Sequence, residues 1–274
     1  MEVTLLGTGD TTGTPTPGCS CDTCTEARSR DVERTRFSVH VRNERTDESL
    51  LLDASPDFRH QFLERDVPLP DAIAVSHIHF DHLDGLGNCY RLLADVPVHA
   101  AGETDPQTGE SVAESVRNRY DYLDVVTVNP ETPFEPFEVC GFEVTLVPVE
   151  HPPLVCYGLA VEDPETGAKL SLSGDTSYGI PEESREVLAD PDLLLADGIV
   201  PADLCEHHPY GGRHQDDEGV PRTFGTKHMT IEGARALGDD LNADQFRVVH
   251  VAHYTPPEVA FADDVAVDGE RFSL

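Results

Sequence analysis

Short hydrophobic runs separated by polar turns dominate the chain. Glu2–Gly7 and Phe37–Arg42 alternate apolar and polar positions, which is typical of strands with one buried face. Leu50–Leu52 and Ala72–Val75 are continuously apolar, as expected of strands that are buried on both faces. Similar runs predict further strands at Val96–Ala100, Val125–Val128, Phe137–Val149, Cys156–Val161, Lys169–Leu172, Leu193–Ala196 and Phe246–Val251.

Helical segments are fewer and shorter. The sequence predicts one helix over Pro56–Arg65 and another directly after Asp81. A third should begin at Thr230, a suitable N-cap, and run to Leu237, with Gly238 as its stop. Many strands and few helices favour an α/β fold with two sheets flanked by helices.

No repeat, low-complexity linker or change of composition divides the chain, so we expect a single domain over residues 1–274. Asp105–Arg119 and His207–Thr226 are polar, and we interpret them as loops or insertions that shape a pocket. No apolar run approaches the length of a membrane span, and the first residues carry no export signal. The expected location is therefore cytoplasmic.

The charge of the chain is extreme. Fifty-two acidic residues against 19 basic ones give a formal net charge of −33, and only Lys169 and Lys227 among the bases are lysines. This composition is typical of a halophilic protein from a salt-accumulating cytoplasm, the alternative being an ordinary acidic cytosolic enzyme. Either way nucleic acid is a poor partner, because its recognition requires a basic surface.

Seven cysteines are present, an odd number in a chain that is too long to need a disulfide framework. Three of them crowd into Cys19-Ser20-Cys21-Asp22-Thr23-Cys24, which suggests a metal site.

The strongest chemical motif is Ser76-His77-Ile78-His79-Phe80-Asp81-His82, which directly follows a predicted strand. In an extended segment, residues two apart face the same side, so His77 and His79 should converge. Asp81 and His82 would then lie at the turn into the next helix. Imidazole and carboxylate groups are ligands for zinc, manganese or iron, and this spacing can serve two ions.

These residues match the HxHxDH motif of the metallo-β-lactamase superfamily, and later parts of the chain resemble that family in the same order. The resemblance implies a four-layer αββα sandwich and makes Asp53 the buried carboxylate that orients the histidine loop. It also implies a shared carboxylate at Asp175. One divalent ion would be held by His77, His79, His151 and Asp175, and the second by Asp81, His82, Asp175 and His250.

The cysteines carry a narrower resemblance, to the phosphodiesterases of the PhnP type that open phosphoribosyl 1,2-cyclic phosphate. It implies a structural zinc on Cys19, Cys21, Cys24 and His253. His250 and His253 are three residues apart on one predicted strand, so alternation should send one side chain to each metal site.

The same resemblance implies the reaction. Two zinc or manganese ions would activate a water molecule against a small cyclic phosphodiester substrate, with Asp81 orienting the water proton. His228 would stabilise the phosphate or protonate the leaving oxygen.

Two other functions remain open at this point. One is a tRNA 3′-processing endonuclease of the tRNase Z type, and the other is a non-hydrolytic cofactor-biosynthesis protein of the PqqB type, which shares the CxCxxC motif. His207 and His208 could line the cleft, but a solvated loop is the simpler interpretation. A homodimer is compatible with the sequence, which otherwise leaves the oligomeric state open.

Overall fold

The computed structural model describes residues 1–274 as a mixed α/β fold with sixteen strands. The strands are β1 (Glu2–Gly7), β2 (Ser38–Arg42), β3 (Ser49–Leu52), β4 (Ala72–Val75), β5 (Val96–Ala101), β6 (Val126–Glu131), β7 (Phe137–Val139), β8 (Phe142–Val149), β9 (Cys156–Glu162), β10 (Lys169–Leu172), β11 (Leu193–Asp197), β12 (Gly212–Gln215), β13 (Pro221–Phe224), β14 (His228–Met229), β15 (Gln245–Val249) and β16 (Arg271–Ser273).

Seven α-helices connect these strands, together with two 3-10 turns at Asp84–Cys89 and Ala202–His207. The helices are α1 (Asp22–Arg30), α2 (Phe58–Arg65), α3 (Phe80–Leu83), α4 (Val112–Arg119), α5 (Glu182–Leu188), α6 (Ile231–Asp240) and α7 (Pro257–Ala260). None of them combines the length and the apolarity that a membrane crossing requires.

Two large sheets form the centre of the molecule. One has the strand order β16-β1-β2-β3-β4-β5-β6 and the other β15-β11-β10-β9-β8-β7. Side chains of both sheets meet in one core of 43 buried residues, to which Leu193 and Leu195 of β11 contribute. The alternate residues of β11, Leu194 and Ala196, point away from it and pack with α5 and α6 in a second core. Helices α2 and α4 cover the first sheet, and the four layers are those of the predicted αββα sandwich.

The predicted strands are confirmed with small shifts, except where the chain turns inside a predicted segment. Phe137–Val149 divides into β7 and β8 because Cys140 and Gly141 both have positive φ, of 51° and 70°. Helix α6 begins at the predicted N-cap, where Thr230 Oγ1 accepts from Gly233 N, but it continues past Gly238 to Asp240. A Cβ at position 238 would lie 3.1 Å from the Phe246 ring, so this glycine allows close packing and is not a stop.

The interpretation of two polar segments as loops is wrong. Asp105–Arg119 contains α4, which a capping box between Ser111 and Glu114 begins. His207–Thr226 contains β12 and β13, which pair with β14 in a small third sheet. Both strands of this segment are largely exposed or half-buried, so no apolar periodicity marks them in the sequence.

Candidate metal centre

The histidine motif occupies the carboxyl end of β4, in the middle of the first sheet. His77 and His79 lie in an extended segment, and His79 is the N-cap of α3, with φ of −62° and ψ of 147°. The first turn of α3 then carries Asp81 and His82 back into the interior, where both are buried. The change from strand to helix within six residues thus brings four ligand-type side chains together.

Asp53, at the end of β3, fixes this loop. Its Oδ1 accepts from Ser76 N at 2.7 Å, and its Oδ2 accepts from both Ser76 Oγ and His82 Nδ1 at 2.7 Å. Because Nδ1 of His82 donates to this carboxylate, Nε2 of His82 keeps a free electron pair that can bind a metal. Asp53 has a φ of 59°, an unusual conformation for a residue other than glycine.

The first group of ligand-type side chains consists of His77, His79, His151 and Asp175. Nε2 of His77 lies 2.9 Å from Nδ1 of His79 and 3.7 Å from Oδ2 of Asp175. Nε2 of His151 lies 3.3 Å from the same His79 nitrogen, while its Nδ1 donates to the carbonyl of Lys227 at 3.1 Å. These separations are close to the roughly 3.4 Å between neighbouring ligand atoms of a tetrahedral zinc ion.

The second group consists of Asp81, His82 and His250, again next to Asp175. Nε2 of His82 and Nε2 of His250 lie 3.3 and 3.4 Å from Oδ2 of Asp175, and both lie within 3.7 Å of Asp81. Neither nitrogen has a hydrogen-bond partner although both are buried. Buried polar atoms are rarely left unpaired, so this donor set fits a cation held between these groups.

Burial and neighbouring charges shift the pKa values of His151 and His250 in opposite directions. Burial lowers the pKa of His151 to about 3, which keeps the imidazole neutral and able to bind a metal. Burial alone would also lower the pKa of His250, but the charge of Asp175, the Asp81 carboxylate as a hydrogen-bond acceptor and the charge of Asp197 raise it to about 9. The carboxylates therefore attract positive charge to the centre, as a metal site requires.

His250 reaches the centre by a different route from the predicted one. Strand β15 ends at Val249, and His250 itself has a φ of 62°, so strand alternation does not set its direction. This left-handed turn aims His250 at Asp175, and His253 then lies among the cysteines. One histidine therefore lies at each cluster, as predicted, but strand alternation is not the reason.

Asp197, at the end of β11, was not predicted from the sequence as a site residue. Its Oδ2 accepts from His228 Nδ1 at 3.0 Å and from Thr176 N at 2.9 Å. His228 stacks on His250, with ring centroids 5.1 Å apart and 15° between the planes. A signal for Asp197 was available, because Leu193–Ala196 is an apolar run that ends in aspartate, as Leu50–Leu52 ends in Asp53.

A separate cluster contains Cys19, Cys21, Cys24 and His253. Nδ1 of His253 lies 3.5 Å from the first sulfur and 3.7 Å from each of the other two. A tetrahedral zinc ion would place a sulfur and a nitrogen ligand about 3.6 Å apart, so the group fits zinc. Cys21 caps α1 by accepting from Cys24 N, so the second half of the cysteine motif forms the start of a helix.

The structure brings together every predicted ligand position and leaves the two doubtful histidines outside the centre. His207 is exposed beside Glu206, and His208 packs edge-on against Phe224, with ring centroids 4.6 Å apart. Neither belongs to a group of potential metal ligands.

Comparison with known families agrees with this architecture. The family model described as beta-lactamase superfamily domain matches residues 48–251, which include both groups of the central cluster.

Individual relatives are distant. The chain is 26% identical to an octanoyltransferase of Porphyromonas gingivalis over 93% of its own length, but it spans only 47% of that protein. It is 28% identical to the coenzyme PQQ synthesis protein B of Methylobacterium radiotolerans, covering 93% of this chain and 91% of the other. Among solved structures, a diphosphatase of the PhnP family superposes with a TM-score of 0.76 at 25% identity, over 99% of this chain and 96% of that one.

Proposed function

The chain belongs to the beta-lactamase superfamily, and we propose that it is a binuclear metal-dependent phosphodiesterase acting on a small phosphodiester. The observation that carries the proposal is the position of Asp175. Its Oδ2 lies 3.7 Å from Nε2 of His77, 3.3 Å from Nε2 of His82 and 3.4 Å from Nε2 of His250. One carboxylate at the boundary of two ligand groups is what a pair of neighbouring cations needs. The resemblance to PhnP-type enzymes favours a cyclic phosphodiester such as phosphoribosyl 1,2-cyclic phosphate.

The residues around the centre suit hydrolysis. Two divalent cations, zinc or manganese, would supply an activated water and neutralise phosphoryl oxygens when bound. His77, His79, His151, Asp81, His82, His250 and Asp175 would hold them. Asp81 is buried with Oδ2 3.6 Å from His250, and it can also accept a proton of the attacking water. His228 keeps its Nδ1 on Asp197, so its Nε2 can face the phosphate or donate a proton to the leaving oxygen.

A tRNA-processing nuclease is the weaker alternative. Positions 151 and 175 are joined by the antiparallel pair of β9 and β10, which leaves no room there for an inserted RNA-binding arm. A net charge of −33 also repels a polyanion.

A non-hydrolytic role like that of coenzyme PQQ synthesis protein B is the second alternative, and the similarity over nearly the whole of both chains favours it. A hydrolysis assay distinguishes the proposed phosphodiesterase from this non-hydrolytic function. Protein loaded with Mn²⁺ or Zn²⁺ should hydrolyse bis(p-nitrophenyl) phosphate and lose this activity after chelation. His250→Ala should lose the activity, and His207→Ala is its matched control, since it removes an exposed histidine that belongs to no group of potential ligands. Fully loaded protein without activity on this ester or on cyclic ribose phosphates would contradict the proposal.

A further inference from the structure

Thr176 directly follows the shared carboxylate Asp175, and its side chain is fully buried. Its Oγ1 accepts from the backbone N–H of Glu150 at 3.1 Å and donates to the carbonyl of Ser177 at 2.9 Å. Glu150 is the residue before His151. One hydroxyl therefore joins the loop that carries Asp175 to the loop that carries His151.

Ser177 adds two bonds between the same loops. Its backbone N–H donates to the carbonyl of Glu150 at 2.8 Å, and its hydroxyl donates to the Glu150 carboxylate. The two loops follow β10 and β8, and β9 lies between these strands in the sheet. No strand pairing holds the loops together directly, so these hydrogen bonds set the distance between them.

The backbone N–H of Thr176 has a separate partner. It donates to Oδ2 of Asp197 at 2.9 Å, the same oxygen that accepts from Nδ1 of His228. A substitution of the Thr176 side chain leaves this N–H in place. The effect of the hydroxyl on the His151 loop can therefore be tested without removing the bonds that orient His228.

His151 and Asp175 belong to the same group of candidate ligands. The ring of His151 is fixed by its bond from Nδ1 to the carbonyl of Lys227, at 3.1 Å, and the hydroxyl of Thr176 fixes the backbone on the other side of the loop. Groups that are held in place before a ligand arrives lose less conformational entropy when it binds. The partners of metal ligands typically change metal affinity by about 10- to 100-fold.

We propose that Thr176 is a positioning residue, which holds His151 at the distance from Asp175 that one divalent cation requires. Its hydroxyl raises the affinity of the first ligand group for the cation and leaves the second group unaffected. The inference concerns metal binding alone, so it does not depend on the proposed hydrolysis of phosphodiesters.

A titration with Mn²⁺ tests this, with free Mn²⁺ measured by electron paramagnetic resonance. Mn²⁺ prefers oxygen ligands and binds thiolates poorly, so the cysteine cluster should not compete. Thr176→Val keeps the shape of the side chain and removes the hydroxyl. We expect it to lose roughly 10- to 100-fold in affinity for one of the two central ions. Thr176→Ser, which retains the hydroxyl, should bind Mn²⁺ nearly as tightly as the wild type.

Ser171→Ala is the matched control. Ser171 lies on β10, is fully buried, and donates its hydroxyl to the carbonyl of Leu188 at 2.9 Å, but it belongs to no group of potential ligands. This variant should lose stability as Thr176→Val does, yet keep the wild-type affinity for Mn²⁺. Equal loss of affinity in both variants would overturn the proposal, because it would indicate a general loosening of the fold. Unchanged affinity in Thr176→Val would also overturn it.

A double-mutant cycle identifies the ligand through which Thr176 acts. His151→Ala leaves the second group as the remaining Mn²⁺ site, and adding Thr176→Val should not weaken this site further. In a His250→Ala background the same substitution should still weaken the first group. An equal loss in the two backgrounds would overturn the proposal, since Thr176 would then act through the shared Asp175.

Amide hydrogen exchange supplies a readout in protein without metal. The N–H of Glu150 should be protected in the wild type and should exchange faster in Thr176→Val, because its acceptor is gone. An unprotected Glu150 amide in the metal-free wild type would mean that the contact does not exist before metal binding, and it would refute the proposal. Neither measurement uses a substrate, so a protein that is inactive on phosphodiesters would contradict the proposed function and not this inference.

Discussion

His228 donates from Nδ1 to Oδ2 of Asp197 over 3.0 Å, and this bond fixes which ring nitrogen faces the metal centre. The side chain of His228 is 15% exposed, whereas that of Asp197 is 1% exposed. The buried carboxylate therefore orients an imidazole that remains partly exposed to solvent. This arrangement resembles the orientation of catalytic histidines by carboxylates in other hydrolases.

Replacing His228 should separate catalysis from metal binding. We expect His228→Ala to keep both central ions but to lose about 10²-fold or more in kcat, as for a lost proton donor or charge stabiliser. Asp197→Asn should lower kcat in the same direction by disturbing the orientation of His228. Elemental analysis and turnover on a phosphodiester check both. Wild-type turnover in His228→Ala would refute its role in the reaction.

Metal binding at the two candidate sites should depend on different histidines. His253→Ala should lose one ion per chain and lower the melting temperature, with turnover reduced only indirectly, because it removes the single nitrogen ligand of the cysteine cluster. His250→Ala should abolish turnover while the cysteine-bound ion stays. Metal content, melting temperature and kcat of both variants provide the measurement. A His253→Ala protein that retains all its metal would show that the cysteines have another fourth ligand.

Salt should stabilise the protein strongly. A net charge of −33 creates self-repulsion that is screened as the Debye length falls to about 3 Å at 1 M salt. We expect the melting temperature to rise steadily from low ionic strength to molar KCl. Sucrose at equal osmolality, which does not screen charge, serves as the control. A melting temperature that does not change with KCl concentration would support the alternative interpretation, an ordinary acidic cytosolic enzyme.

His40 should make stability depend on pH. It is fully buried on β2, its Nε2 contacts the Pro68 carbonyl at 3.1 Å, and its Nδ1 has no partner. Burial lowers its pKa from 6.5 to about 4, so the folded state disfavours the charged form. Stability is therefore full above pH 6.5 and is lost as the pH falls towards 4, by about 2 to 3 kcal/mol at pH 4.5.

The measurement is the free energy of unfolding at pH 7 and pH 4.5, in constant molar salt. His40→Gln cannot titrate and can still donate to Pro68, so it should lack this component of the pH dependence. Identical pH dependence in the two proteins would argue against a neutral His40.

Most of the architecture could be predicted because buried strands leave a local trace in the sequence. Lys169–Leu172 coincides with its strand, and Leu193–Ala196 differs from β11 by one residue. The third sheet left no such trace, since its outer strand β12 lies almost entirely in solvent. Helix α4 was missed for a related reason, because only Val112, Ala113 and Val116 of its residues are buried.

The candidate ligands of the central cluster could be proposed from the sequence because the histidine motif is compact and because His151, Asp175 and His250 closely follow strands. What the sequence could not supply was the hydrogen-bond partner of each site residue. Asp197 is 31 residues from His228, and the carbonyl of Lys227 is 76 residues from His151. Such pairings depend on which strand ends meet in space, which local patterns do not record.

The order of the cysteine cluster along the chain has a consequence for biosynthesis. Cys19 and His253 are separated by 234 positions, so the three thiols leave the ribosome long before their nitrogen ligand exists. At typical elongation speeds of about 5 to 20 residues per second, this interval lasts roughly 10 to 50 seconds. During it the thiols are open to oxidation and to capture by the wrong metal. If the cluster binds zinc as proposed, its maturation would require the nascent thiols to stay reduced until His253 has been synthesised.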